Sequence, residues 1–131
     1  MAYELPGLKI TLTAGADLSS YQHHFVKITG ANTVGLCTAT TDIPVGVLQN
    51  APTSGGAAEI MVSGITKLSS NAGITAGALL GTSTDGQAVT ADPDGAAEAY
   101  YVGQALDTST GAGGLISALI NCASPVLTAG S

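Results

Sequence analysis

The residues able to do chemistry are few in this 131-residue chain, and their spacing does not combine them. His23 and His24 are its only histidines. Neighbours on a strand point to opposite faces, so the two imidazoles cannot readily grip one metal ion together. A serine or cysteine nucleophile would have to use one of them as its base. The sequence has no G-x-S-x-G elbow, and neither Cys37 nor Cys122 sits in a local signature for thiol catalysis. Two small buried residues are the expectation for the cysteines, since free cysteine is commonly buried. A disulfide would need an oxidising compartment, which nothing in the sequence indicates. Asp92, Asp94 and Gly95 open like a calcium loop, but Ala96 and Gly103 stand where the loop needs its third ligand and its glutamate. That stretch reads as a solvent-exposed turn. The glycine-rich loops lack the Lys-Ser/Thr ending of a phosphate loop. No catalytic residue, metal site or cofactor site emerges, and the chain is expected not to be an enzyme.

What remains is a body that positions surfaces. Charged residues make up 9% of the chain, against roughly 25% in ordinary soluble domains. Nine acids face three lysines (Lys9, Lys27, Lys67), with no arginine, for a net charge of −6. Three scattered lysines cannot form the basic stripe that nucleic acid or an anionic membrane requires, so neither is expected as a partner. A weakly charged surface of small residues suits contact with other subunits. No signal-peptide core follows "MAYELPGLK", and the "LISALI" run is too short and too interrupted to span a bilayer. The expectation is a protein made in the cytoplasm.

Short β-type bursts alternate with turn-rich stretches. Strands are expected over residues 8–13, 24–29, 33–38, 45–48, 58–64, 65–68, 88–90, 100–106 and 115–121. In "LKITLT", Leu8, Ile10 and Leu12 share one face, as a half-buried strand requires. In "LISALIN" both faces are partly apolar, which suits a central strand or a subunit contact. Asp85-Gly86 signals a hairpin. Residues 71–80 have room for a turn of helix, weakened by Gly73 and Gly77. The expected fold is all-β: a small β-barrel or β-sandwich of short strands with Gly/Pro-rich loops and little or no helix. The expected organisation is one domain, with an N-terminal arm and first strand over 1–20 and a β-rich body over 21–131. Val45-Gly46 and Val102-Gly103 lie 57 positions apart, as do Gly56 and Gly113. That spacing hints at a duplicated hairpin, although chance in a glycine-rich chain would also produce it.

Residues 42–52, "DIPVGVLQNAP", are the stiffest piece of the chain. Pro44 fixes its own φ and suits an edge or a strand start. Gly46 permits close backbone approach or a bulge. Pro52 stiffens the exit. The segment reads as a bent strand shaping a barrel rim or a subunit interface, or else as an ordinary edge strand. Pro44, Val45, Gly46 and Pro52 are therefore candidate contact residues. In "AYELPGL", Tyr3 and Leu5 are apolar and Pro6-Gly7 prevents a helix. That segment could act as an arm that adds a strand to a partner's sheet edge, which makes Tyr3, Leu5 and Pro6 candidates too.

Taken in order, "DIPVGVLQNAP", "AEIMVSGITKL", "AGITAGALLGTSTDGQAV" and "YVGQALDTSTGAGGLISALI" resemble the capsid cement, or head decoration, proteins of tailed bacteriophages. Each piece is short, and the ordered set over roughly residues 40–121 carries the likeness. The resemblance implies a β-rich fold, usually a homotrimer. Such a protein is added to the outer surface of the expanded icosahedral head and clamps major capsid protein subunits at local three-fold positions. It supplies no catalytic residues and no transferable contact positions. Two other readings stand beside it. One is a β-domain of another phage or surface structure, such as a fibre or adhesin module. The other is a small hydrolase using Ser or Cys with His23 or His24.

Overall fold

Alternating apolar residues and closely spaced turns leave this chain little choice but short strands. The computed structural model describes residues 5–91 and 100–127, and all its regular elements are strands. In chain order they are β1 (Leu5–Ala14), β2 (Phe25–Gly30), β3 (Thr33–Leu36), β4 (Gly46–Leu48), β5 (Ala57–Ser69) and β6 (Leu79–Thr82). There follow β7 (Ala88–Thr90), β8 (Tyr100–Tyr101), β9 (Gly103–Ala105), β10 (Leu115–Asn121) and β11 (Val126–Leu127). The all-β expectation holds. The possible helical turn over 71–80 does not form: Gly73 and Gly77 interrupt it, Gly77 at φ +92°, and the segment becomes a turn entering β6. The two strands expected over 58–68 are one continuous 13-residue strand, β5. The "DPDG" turn lies outside the described residues.

Nine strands form one sheet in the order β1-β3-β2-β4-β5-β10-β9-β6-β7, and β1 also pairs with β5. That extra pairing closes β1, β3, β2, β4 and the first half of β5 into a five-stranded ring. Its closing pair, β1 with β3, is parallel, through Thr13 with Thr33 and Ala14 with Val34. The second half of β5 begins another circuit through β10, β9, β6 and β7. A parallel bridge from Ser70 to Ala88 brings that circuit back to the end of β5. Two small barrels thus share one strand, which turns between them at Gly64, φ +135°. Only glycine adopts that backbone without strain.

The two rings are copies. Val26 pairs with Leu36, Lys27 with Gly35 and Ile28 with Val34 in the first. Leu80 with Thr90, Gly81 with Val89 and Thr82 with Ala88 repeat that register in the second. Phe25–Val47 and Val26–Gly46 correspond to Leu79–Gln104 and Leu80–Gly103. Val47–Met61 and Leu48–Ile60 correspond to Leu119–Gln104 and Ala118–Ala105. Thr13–Ala57 through Lys9–Met61 correspond to Ser69–Leu115 through Ile65–Leu119. Loop bonds repeat as well: Leu18 N donates to the Pro52 carbonyl as Ile74 N does to that of Ser109. Even the left-handed residues match, His23 with Gly77, Asn32 with Gly86 and Gly55 with Gly113. The glycine and valine spacing in the sequence is therefore the trace of an internal duplication, with Gly55 rather than Gly56 as the partner of Gly113.

Ala14, Leu18, Val26, Val34, Leu48, Ala58 and Ile60 fill the first ring. The second interior merges with the junction between the rings. There Phe25, Cys37, Val47 and Met61 of the first ring share one buried cluster with Leu68, Leu80, Ile116 and Ala118 of the second. Phe25 N donates to the Gly86 carbonyl at 2.7 Å and Ser69 N to that of His23 at 2.9 Å, so backbone bonds also tie the junction.

Candidate functional site

Two surfaces combine a hollow with exposed large apolar side chains; Leu8 and Leu115 are exposed outside them. The first is a groove of about 730 Å³ bordered by Lys27, Ile28, Thr41, Asp42, Ile43, Pro44, Val45 and Cys122. Its position follows from the 42–52 segment. Pro44 ends the loop after β3, and Val45 N donates to the Val26 carbonyl at 2.8 Å, starting β4 alongside β2. β4 pairs with β2 on one side and β5 on the other, so it is a central strand and not an edge. Ile28 and Ile43 stand 52% and 50% exposed beside the groove.

Asp42 holds this wall in shape. Its Oδ2 accepts from Lys27 Nζ at 2.9 Å, from Thr38 N at 2.8 Å and from Ala39 N at 3.0 Å. Burial alone would raise its pKa. The Lys27 hydrogen bond and charge, with the two amides, outweigh burial and hold the carboxyl below its ordinary value. A depressed carboxylate stabilises the fold above its unfolded pKa of 3.8, and that contribution fades as pH falls through the lower folded value. Asp42→Ala leaves two loop amides without their acceptor. We expect it to cost about 1–3 kcal/mol in urea unfolding at neutral pH, and less at a pH low enough to protonate Asp42 in the parent.

Cys37 and Cys122 are free and buried, as their residue type suggested. Burial pushes both thiols up to about 12. The Asp42 charge adds to the effect at Cys37, where a Thr82 hydrogen bond and Lys27 partly offset it, and Cys37 adds to the effect at Cys122. They are poor nucleophiles at neutral pH. The raised values stabilise the fold below pH 9, the ordinary value, and that stabilisation is lost between 9 and about 12. Two such thiols steepen the alkaline loss by up to about 2.7 kcal/mol per pH unit. Unfolding measured from pH 8 to 11 should show a steeper decline for the parent than for the C37A/C122A variant. Equal slopes would refute the buried-thiol account.

His24 Nδ1 lies 3.1 Å from the Gln22 carbonyl and its ring stands edge-on to Tyr21. Among the described residues, no three His, Cys, Asp or Glu side chains gather into a metal site. Of the expected contact residues, Pro44 and Val45 line the groove, but only Val45 is half-buried; Pro44, Gly46 and Pro52 are all buried within the chain. A Cβ on Gly46 would stand 2.4 Å from Ile60 Cγ2, so this glycine serves the interior approach of β4 to β5. Leu5 and Pro6 belong to β1, and Leu5 pairs with Ile65 of the same chain. Tyr3 lies outside the described residues.

The second surface includes part of "LISALIN", read from sequence as suiting a central strand or a subunit contact, but its other residues were not singled out. Leu79, Tyr101, Gln104, Leu119 and Val126 line a shallow apolar hollow of about 230 Å³ on the second ring. Leu119 is 48% exposed, and Leu106, nearby in the chain, is 37% exposed. The double-sided apolar character of "LISALIN" was the signal: Ile116, Ala118 and Ile120 face inward, which leaves Leu115 and Leu119 outside.

No family model and no curated protein matches this chain. Among solved structures, the fold is similar to the crystal structure of the head fibre gp8.5 N base in bacteriophage phi29. The match has a TM-score of 0.66 at 19% identity and covers 88% of this chain and 94% of the other.

Proposed function

We propose that this chain is a structural protein of a tailed-phage head, bound to the outer surface of the shell. The observation that carries the reading is the fold shared with a head-fibre base over nearly the whole of both chains. The ordered segments over residues 40–121 support it independently, since they resemble head decoration proteins. In the finer form of the proposal, a homotrimer sits between major capsid protein subunits at local three-fold positions of the expanded head and holds them together. Three weak contacts then act as one multivalent attachment. Two fused rings with a shared strand form a rigid body suited to that role. Pro44 and Val45, on the groove wall, are the expected contacts with capsid or subunit.

The fibre base favours a second reading, in which the same body anchors a longer appendage to the head. Cosedimentation with expanded and unexpanded phage heads tests the first reading. Saturable pelleting with expanded heads alone is the expected result. Absence of pelleting from folded protein would defeat it.

A further inference from the structure

The duplication tells what should cover the exposed leucines. In the first ring, Phe25, Val47 and Met61 occupy the outer face made by β2, β4 and β5, and the second ring buries all three. Their register counterparts in the second ring are Leu79, Gln104 and Leu119. These line the open apolar hollow, with Leu119 half exposed. Gln49, which follows β4 and reaches across the junction to Thr66 Oγ1 at 2.9 Å, has Leu106 as its counterpart. Leu79, Leu106 and Leu119 are residue types suited to burial, while Gln104 is the polar exception, its Nε2 donating to the Gly77 carbonyl at 2.9 Å. The corresponding strands already bury this face in the other copy.

The receiving side shows the complementary asymmetry. The second ring meets the first through the β6–β7 hairpin, where Thr82 is 0% exposed, Ser83 is buried and Gly86 accepts from Phe25 N. The counterpart hairpin of the first ring, β2–β3, carries Ile28 in place of Thr82 and Thr29 in place of Ser83, and both are exposed. One chain therefore carries a buried junction in its middle and an unmatched half of that junction at each end.

We infer that the Leu79/Leu106/Leu119 face of one copy docks on the Ile28 end of a second copy, reproducing between chains the contact that joins the two rings within one. The contact is heterologous, because face and end are different surfaces. Such a contact closes into a ring or continues as a filament, according to the rotation per step. The inference rests on the preceding reading only for closure at three copies, and the docking itself stands on the duplication. A related β-ring on a capsid subunit would compete for the same face, and the test below separates the two.

Sedimentation velocity of the full chain, up to millimolar concentration, is the test. The parent should self-associate. Leu119→Asp spoils the face and Ile28→Asp spoils the end, so each alone should weaken association tenfold or more. Mixed in equal amounts, the two variants retain one good face and one good end between them. They should form a one-to-one dimer and stop there. Leu106→Arg is a second face variant, and each variant must keep the parent's thermal midpoint. A parent that stays monomeric overturns the inference. So does an Ile28→Asp variant that assembles like the parent, or a mixture that fails to pair. Pelleting the same variants with expanded heads reads capsid binding separately, so loss of pelleting with self-association intact would fault the capsid reading alone.

Discussion

Phe25→Ala should remove about 3–5 kcal/mol of unfolding free energy, the range for truncating a fully buried aromatic side chain. Phe25 is the only phenylalanine, is 0% exposed and, among the described residues, is the largest side chain buried so completely. Its position raises the cost. It lies in the cluster that joins the rings, with its amide bonded to Gly86 on the far side of the junction. The cavity therefore opens between two bodies whose backbones are pinned by β5 and by the His23–Ser69 bond, and the walls can collapse little. Urea unfolding followed by circular dichroism checks it, with a drop in thermal midpoint on the order of ten degrees or more. A loss under about 1 kcal/mol would mean that the junction is not packed as described.

Gly46→Ala and Gly103→Ala should each destabilise the fold, by about 3 and about 2 kcal/mol, as overpacking of a tight site does. A Cβ on Gly46 would meet Ile60 Cγ2 at 2.4 Å and the Met61 carbonyl oxygen at 2.5 Å. On Gly103 it would meet the Leu119 carbonyl oxygen at 2.6 Å and Ile120 Cγ2 at 3.1 Å. The carbonyls cannot move without breaking a ladder, whereas side chains can turn. Gly111→Ala is the control: nothing lies within 4 Å of its Cβ and its backbone is not left-handed. It should be neutral, or stabilising by about 0.4–1 kcal/mol. Denaturant midpoints of the three variants decide the matter. Similar values for all three would remove close strand approach as the reason these two glycines persist in both copies.

Much of the strand pattern was legible, because inward positions such as Leu12, Ile60 and Ile116 keep their period of two. The duplication was legible only where the backbone dictates the residue. Gly46 and Gly103 match because a strand must come close, and Gly55 and Gly113 because both sit at positive φ, +83° and +82°. Elsewhere the copies diverge freely, since Val26 and Leu80, or Ile60 and Ala118, serve equally as ring filling if neighbours compensate in volume. Loop lengths drifted too. His23 corresponds to Gly77 but Gly55 to Gly113, so no single spacing aligns the halves. The bend in β5 was hidden because "MVSGITK" reads as two strands, and only pairing partners on either side of Gly64 show one. The leucine face was legible only as the double-sided apolar character of "LISALIN", which a central strand explains equally well. It became visible once Met61, the counterpart of Leu119, was seen to be buried.

The sharing of β5 has a consequence for the chain as it is made. The first ring cannot close until the first half of β5 has left the ribosome, and the second has no complete wall until β10 follows. Between those moments the finished first ring displays Phe25, Cys37, Val47 and Met61 to water, the very side chains later covered by the second ring. A nascent chain stalled after β5 therefore presents an adhesive face, and synthesis through β10 ends that exposure.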